Sequence, residues 1–334
     1  MTIIQGKDIR VSDRQKLEKV IPLEMPYVLF IEPTNLCNIQ CQFCPTGDKN
    51  LRKMRPNGTM LWETYCRAIS GLEEFGKKLK RINFYKDGES LLNKKFCDMV
   101  LLAKDRNVSD SLWLKTNGLL LNPELNQKLI DSGLDMIGIS VTHTTEEGYK
   151  RISGVSMDYA KFKENIRDLF KRRNECKIYI KIADTGLSQS EKDKFLNDFG
   201  DISDYVAVEG LHGWSMSDVK DFTLGTESKT FDGLPFVRKV VCPWPFYELA
   251  INWNGSVSVC NEDWVHGTTV GDINKETLKE IWNGKRLYEI QKMMLEGRRS
   301  ENKVCANCFY LSCSPDNIDE YRFQILEKMK SRFK

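Results

Sequence analysis

The 334-residue sequence lacks an excess of charge, a long apolar run and a repeated unit. Lysine and arginine number 50 against 47 aspartates and glutamates, a net charge of +3. So close a balance leaves no electrostatic footprint for nucleic acid or an anionic membrane surface. The short basic runs Lys77–Lys80 and Lys171–Arg173 read as solvated helix faces. No apolar stretch approaches the roughly 20 residues of a membrane-spanning helix. The N-terminus, MTIIQGKDIRVSDRQ, lacks the apolar core of a signal peptide. With no membrane or nucleic-acid partner indicated, a cytoplasmic protein is expected.

Cysteine, by contrast, is abundant. There are eleven, and a reducing compartment does not favour structural disulfides. Cysteine-rich chains of that compartment more often bind metal where the spacing is right. Eight are grouped: Cys37, Cys41 and Cys44, then Cys242, Cys260, Cys305, Cys308 and Cys313. Cys66, Cys97 and Cys176 stand singly and read as small buried hydrophobes.

Strand and helix signals alternate along the first two thirds of the chain. Residues 9–21 read as a leading helix capped by Ser12. Strands are expected at Tyr27–Ile31, Arg81–Lys86, Leu112–Thr116, Met136–Val141, Lys177–Ala183 and Tyr205–Glu209. Helices are expected at Leu61–Lys78, Lys94–Asp105, Pro123–Ser132 and Asp158–Arg173, with another from Ser190. Six β-then-α units imply a parallel sheet. The pattern breaks at residues 213–236, which are polar and aperiodic and read as a linker. Beyond it, a hairpin is expected at Glu248–Cys260, turning at Asn254-Gly255.

Directly after the first strand stands EPTNLCNIQCQFCPTGD (Glu32–Asp48), with C-x3-C-x2-C at its core. Three thiolates can hold three irons of a [4Fe–4S] cluster and leave the fourth open to a small chelating molecule. A zinc site would want a nearby fourth ligand, and no further cysteine occurs before Cys66. The motif resembles the radical S-adenosylmethionine (SAM) superfamily, and further elements follow in the same order. Asp87-Gly88-Glu89-Ser90 resembles that family's Gly-Gly-Glu-Pro turn, with Asp87 in place of glycine and Ser90 in place of proline. Thr116-Asn117-Gly118 looks like its Thr-Asn-Gly element. Ile139-Ser140-Val141 through Gly154 resembles its fourth strand and following loop, with Thr142 and Ser153 departing from the usual acid and arginine. The resemblance implies a SAM site at Phe43, Gly88, Glu89, Thr116, Asn117 and Ser140. It implies an α/β fold, a partial (β/α)6 TIM-like barrel whose chemistry sits at the C-terminal ends of the strands.

Cys242, then Gly255 with four residues before Cys260, then Cys305-x2-Cys308 resembles the C-terminal SPASM and shortened twitch domains of that superfamily. Val270-Gly271-Asp272-Ile273 through Leu278-x2-Ile281-Trp282 adds to the likeness. The spacing is similar to that of twitch-type aminocyclitol dehydrogenases. Five cysteines are too few for two fully ligated clusters. One auxiliary [4Fe–4S] cluster on Cys242, Cys260, Cys305 and Cys308 is therefore expected, with Cys313 spare; a structural zinc ribbon is the competing reading. The domain plan is an N-terminal extension (1–26), the barrel (27–212), the linker (213–236) and a small iron–sulfur domain (237–334).

The resemblance implies that a 5′-deoxyadenosyl radical abstracts hydrogen from a substrate carbon. A fully ligated second cluster would accept an electron, and Asp263 or Glu262 would serve as base. Asp184, Glu209, His212 and Trp214, at the ends of the last two strands, are the candidate substrate residues. Three functions stay open: a dehydrogenase of a sugar, cyclitol or nucleoside-like alcohol; a peptide-modifying enzyme; and a non-catalytic iron–sulfur or zinc protein. About 26 residues precede the first strand, which is short for a leader-recognition domain and favours a small molecule. A flavodoxin- or ferredoxin-like electron donor is the expected partner.

Overall fold

Six short apolar runs become six parallel strands. The computed structural model describes residues 15–231 and 233–332. The strands are β1 (Val28–Ile31), β2 (Arg81–Asn83), β3 (Leu112–Thr116), β4 (Met136–Val141), β5 (Lys177–Ala183) and β6 (Tyr205–Glu209). They lie in the order 6-5-4-3-2-1, each parallel to its neighbour. The last four match their expected bounds; β1 and β2 are shorter than expected. Ser12 and most of the expected leading helix lie outside the described residues, of which Leu17–Val20 form one helical turn.

Helices cover the outer face by the usual apolar stripe. In Tyr159–Arg172, the residues Tyr159, Phe162, Ile166 and Leu169 are buried, and the Asp158 side chain caps the first turn by accepting from Lys161 N. Gln189–Phe199 starts on a capping box of Ser188 and Glu191. Within the barrel one helix was not expected, and beyond the linker neither were Lys285–Leu295 and Arg322–Arg332. Glu146–Ser153 occupies the segment read as the loop after β4, capped by Thr145 and ended by Gly154 at φ +72°. Gly148 in its first turn hides the helical signal, and a Cβ there would meet His143 Nδ1 at 1.9 Å.

The sheet continues beyond the linker. The expected hairpin forms as β7 (Glu248–Ile251) and β8 (Ser256–Ser258), with Gly255 at φ +90° in its turn. β7 also pairs in parallel with β1, Val28 opposite Glu248, and β9 (Thr269–Asp272) closes the order as 6-5-4-3-2-1-7-8-9. The sheet is therefore open, with β6 and β9 at its edges. Among the described residues no helix is long and apolar enough to cross a membrane.

Candidate active site

The first cysteine loop leaves the end of β1 and is held from below by the helix that follows β4. Gln40 N donates to Ser153 O (2.8 Å) and Gln42 N to Ile152 O (3.0 Å). Gly47 lets the loop close, since a Cβ there would stand 2.4 Å from Cys41 O. Cys41 is buried, and Cys37 and Cys44 are half-buried. Thr46 Oγ1 lies 2.9 Å from Cys44 Sγ, and Thr142 Oγ1 lies 4.0 Å from Cys41 Sγ. Burial raises all three thiols, Cys37 to about 12.

The turn after β2 packs directly beneath this loop. Gly88 has φ +75°, and a Cβ would stand 2.5 Å from Leu36 O, so only glycine fits. Glu89 accepts from Thr116 Oγ1 (2.8 Å), Asn117 N (2.7 Å) and Leu91 N (3.1 Å). Three donors on a carboxylate with room for about four leave one direction for a ligand. Asn117 Nδ2 donates to Asn38 Oδ1 in the cysteine loop. Ser140 is half-buried on the face that carries its partner Lys181. Phe43 offers its carbonyl to Trp214 Nε1 (3.0 Å), so Trp214 sits against the first cysteine loop.

Cys242, Cys260, Cys305 and Cys308 line one cavity of ≈ 400 Å³, a volume that includes space open to solvent. Cys313 is not on its wall. Trp244 stacks on Tyr310 there, ring centres 4.5 Å apart. Burial raises these thiols, Cys305 and Cys308 to about 12. Arg299 donates to the carbonyls of Cys305 and Cys308 and opposes that rise; nothing in the sequence singled it out.

Donor chemistry and spacing fit iron–sulfur clusters better than zinc. A tetrahedral thiolate zinc needs sulfurs about 3.8 Å apart, from a Zn–S bond of about 2.3 Å. Among the described residues no three cysteine sulfurs lie within 4.8 Å of one another. The second set lines a cavity with room for a larger group, and coordination to iron removes the thiol protons.

The two candidate bases differ sharply. Asp263 accepts from Gly267 N (2.9 Å), Thr268 N (2.7 Å) and Thr268 Oγ1 (2.6 Å), so its carboxylate closes the loop after Cys260. Glu262 is buried on the cavity wall, and its Oε2 has no hydrogen-bond partner. Burial, then the charge of Asp87, raises its acid to about 8, against the pull of Lys115, Lys86 and Lys181.

The strand-end candidates divide as well. Glu209 accepts from Tyr179 OH (2.7 Å) and Lys181 Nζ (2.6 Å) on the concave face. His212 packs on Phe231 and Tyr310. Asp184 accepts from Leu187 N and Lys192 Nζ, which orders the entry to the next helix and does not join the others.

A buried ionic group passed unnoticed in the sequence. Arg55 Nη1 and Lys86 Nζ lie 2.6 and 2.9 Å from Asp87 Oδ2, with Glu32 at 3.7 and 3.9 Å from the same two cations. His266 from the second cysteine region faces Glu32 at 3.7 Å. Burial lowers the His266 imidazole to about 3, so it is neutral.

Comparison with known proteins agrees with this layout. The model of the radical SAM superfamily matches residues 31–183, and that of the iron–sulfur cluster-binding domain SPASM matches residues 242–309. The S-adenosyl-L-methionine-dependent 2-deoxy-scyllo-inosamine dehydrogenase of Niallia circulans is 21% identical over 293 residues, 87% of this chain and 96% of that protein. The crystal structure of BtrN in complex with AdoMet and 2-DOIA superposes with a TM-score of 0.55 at 19% identity, covering 85% of this chain and 93% of that one. Streptococcus suis SuiB bound to its precursor peptide SuiA superposes with a TM-score of 0.62 at 14% identity, covering 88% and 74%. At such identities the structural likeness establishes the fold.

Proposed function

The chain is a radical SAM enzyme with a SPASM iron–sulfur domain, and from that premise we propose that it oxidises an alcohol carbon of a sugar, cyclitol or nucleoside-like small molecule. The observation that carries this reading is one cavity lined by four cysteines, with the unpartnered Glu262 Oε2 on its wall. The dehydrogenase activity named for the Niallia circulans relative supports it.

In this reading Cys37, Cys41 and Cys44 hold the SAM-binding cluster, and Cys242, Cys260, Cys305 and Cys308 hold the second. When bound, SAM and the two clusters supply a 5′-deoxyadenosyl radical that takes a hydrogen atom, and an acceptor for the electron left once the proton departs. Gly88 leaves room for close approach, Glu89, Thr116, Asn117 and Ser140 would orient SAM, and Phe43 would contact its adenine. Glu262 takes the hydroxyl proton at Oε2 in its ionised form, a minority at neutral pH that grows as pH rises through about 8, while Asp263 keeps the loop closed. Glu209, His212 and Trp214 line the substrate side, and Asp184 keeps to the entry of the following helix. A cytoplasmic flavodoxin- or ferredoxin-like protein delivers the priming electron, and no nucleic acid takes part.

Reductive SAM cleavage with candidate alcohols tests the reading. The expected result is 5′-deoxyadenosine and carbonyl product in step, with Cys308→Ala still forming deoxyadenosine but little product. A normal product yield from an enzyme lacking the second cluster would overturn the assignment. The SuiB likeness favours one other outcome, modification of a precursor peptide, which the same assay would reveal with a peptide substrate.

A further inference from the structure

Of the two residues that depart from the family's turn after β2, Asp87 is fully buried between two cations. Its carboxyl is held well below the usual carboxylate range by the charges of Lys86 and Arg55 acting against burial. The side chains of Glu32, Lys86 and Asp87 are 0% exposed and that of Arg55 is 1% exposed. Buried charges are expensive unless paired and hydrogen-bonded. Here the pairing fixes Lys86 in one place.

Lys86 makes a second bond that leaves the barrel. Its Nζ donates to Asp263 O at 2.9 Å, across 177 residues of sequence. Asp263 lies on the wall of the four-cysteine cavity, and its own carboxylate closes the loop through Gly267 and Thr268. A fixed positive charge is thereby hydrogen-bonded to a residue of the cavity wall, with the anion Asp87 2.9 Å from it. Reduction of a buried cluster adds one negative charge, which a nearby cation stabilises and a nearby anion opposes.

We propose that Lys86 is a positioning residue for the second cluster: anchored by Asp87, it holds the loop after Cys260 against the barrel and raises that cluster's reduction potential. The inference rests on the reading that Cys242, Cys260, Cys305 and Cys308 hold a cluster.

The test uses full-length protein with Cys37, Cys41 and Cys44 changed to alanine, reconstituted without air. Its remaining cluster is titrated by electron paramagnetic resonance against potential. Lys86→Met should move the midpoint to more negative potential, and Lys86→Arg should restore most of the shift. Asp87→Asn keeps an amide oxygen to accept from Lys86 Nζ while removing the opposing charge, and should move the midpoint the other way. An unmoved midpoint in Lys86→Met, or shifts of one sign in Lys86→Met and Asp87→Asn, would overturn the electrostatic role. Lys86→Arg and Asp87→Asn keep the comparison decisive if Lys86→Met folds poorly. Absence of iron from the triple-alanine parent would overturn the cluster assignment and this inference with it, whereas iron present with an unmoved midpoint overturns this inference alone.

Discussion

Glu262 and Asp263 are neighbours with opposite fates, and the difference is one of hydrogen-bond supply. Asp263 faces two backbone N–H groups and a hydroxyl, which hold it in a closed turn. Glu262 keeps a buried oxygen without a partner. Glu262→Gln should therefore retain deoxyadenosine formation and lose carbonyl product by ~100-fold, the usual size of a lost general-base contribution. Asp263→Ala should act on the loop instead, costing about 1–3 kcal/mol by leaving the buried Thr268 N–H and hydroxyl unmet, as read by thermal unfolding. Gly88→Ala is the third case: a strained φ and a 2.5 Å clash with Leu36 O should abolish SAM binding in calorimetry. A chain without a resolved SAM affinity change in that variant would show that the turn lies outside the SAM site.

At the scale of elements, the helix Glu146–Ser153 acts on the first cysteine loop through its last carbonyls, which hold Gln40 N and Gln42 N. Gly148→Ala pushes a methyl into His143 and must displace one end of this helix. The expected outcome is faster loss of iron from the first site to a chelator, with the second site unaffected. Separate spectroscopic decay of the two clusters checks it; equal acceleration of both would mean general destabilisation. β7 makes a comparable link on the other side. Its pairing with β1 puts the second cysteine region on the same sheet that presents Cys37, so the two regions are expected to unfold together.

At the scale of the whole molecule, Trp214, Lys86 and Glu32 tie the first cysteine loop and the strand ends beside it to the second cysteine region. Trp214 reaches Phe43 O, Lys86 reaches Asp263 O, and Glu32 accepts from Trp253 N. Because metal binds the folded sites and not the unfolded chain, iron removal should lower the melting temperature of the whole protein. Scanning calorimetry of holo and chelated protein should show one cooperative transition moving down. A lower transition confined to residues after 237 would instead show two independent units.

The alternation of six apolar runs with helical patterns was enough to give six parallel strands, four of them to the residue, since period and length are local properties of the chain. Cysteine spacing likewise picked out the two proposed ligand sets; a short loop lets Cys37, Cys41 and Cys44 converge, whereas only the fold brings Cys242, Cys260, Cys305 and Cys308 onto one cavity. Three features were decided only by the fold. The helix after β4 was hidden because Gly148 is there to admit a side chain from another turn. The continuation of the sheet through β7 depended on which edge β1 leaves free. The link from Asp87 through Lys86 to Asp263 joins residues 177 positions apart in its second step, and a lysine next to an aspartate in sequence looks like ordinary surface charge until the structure buries both.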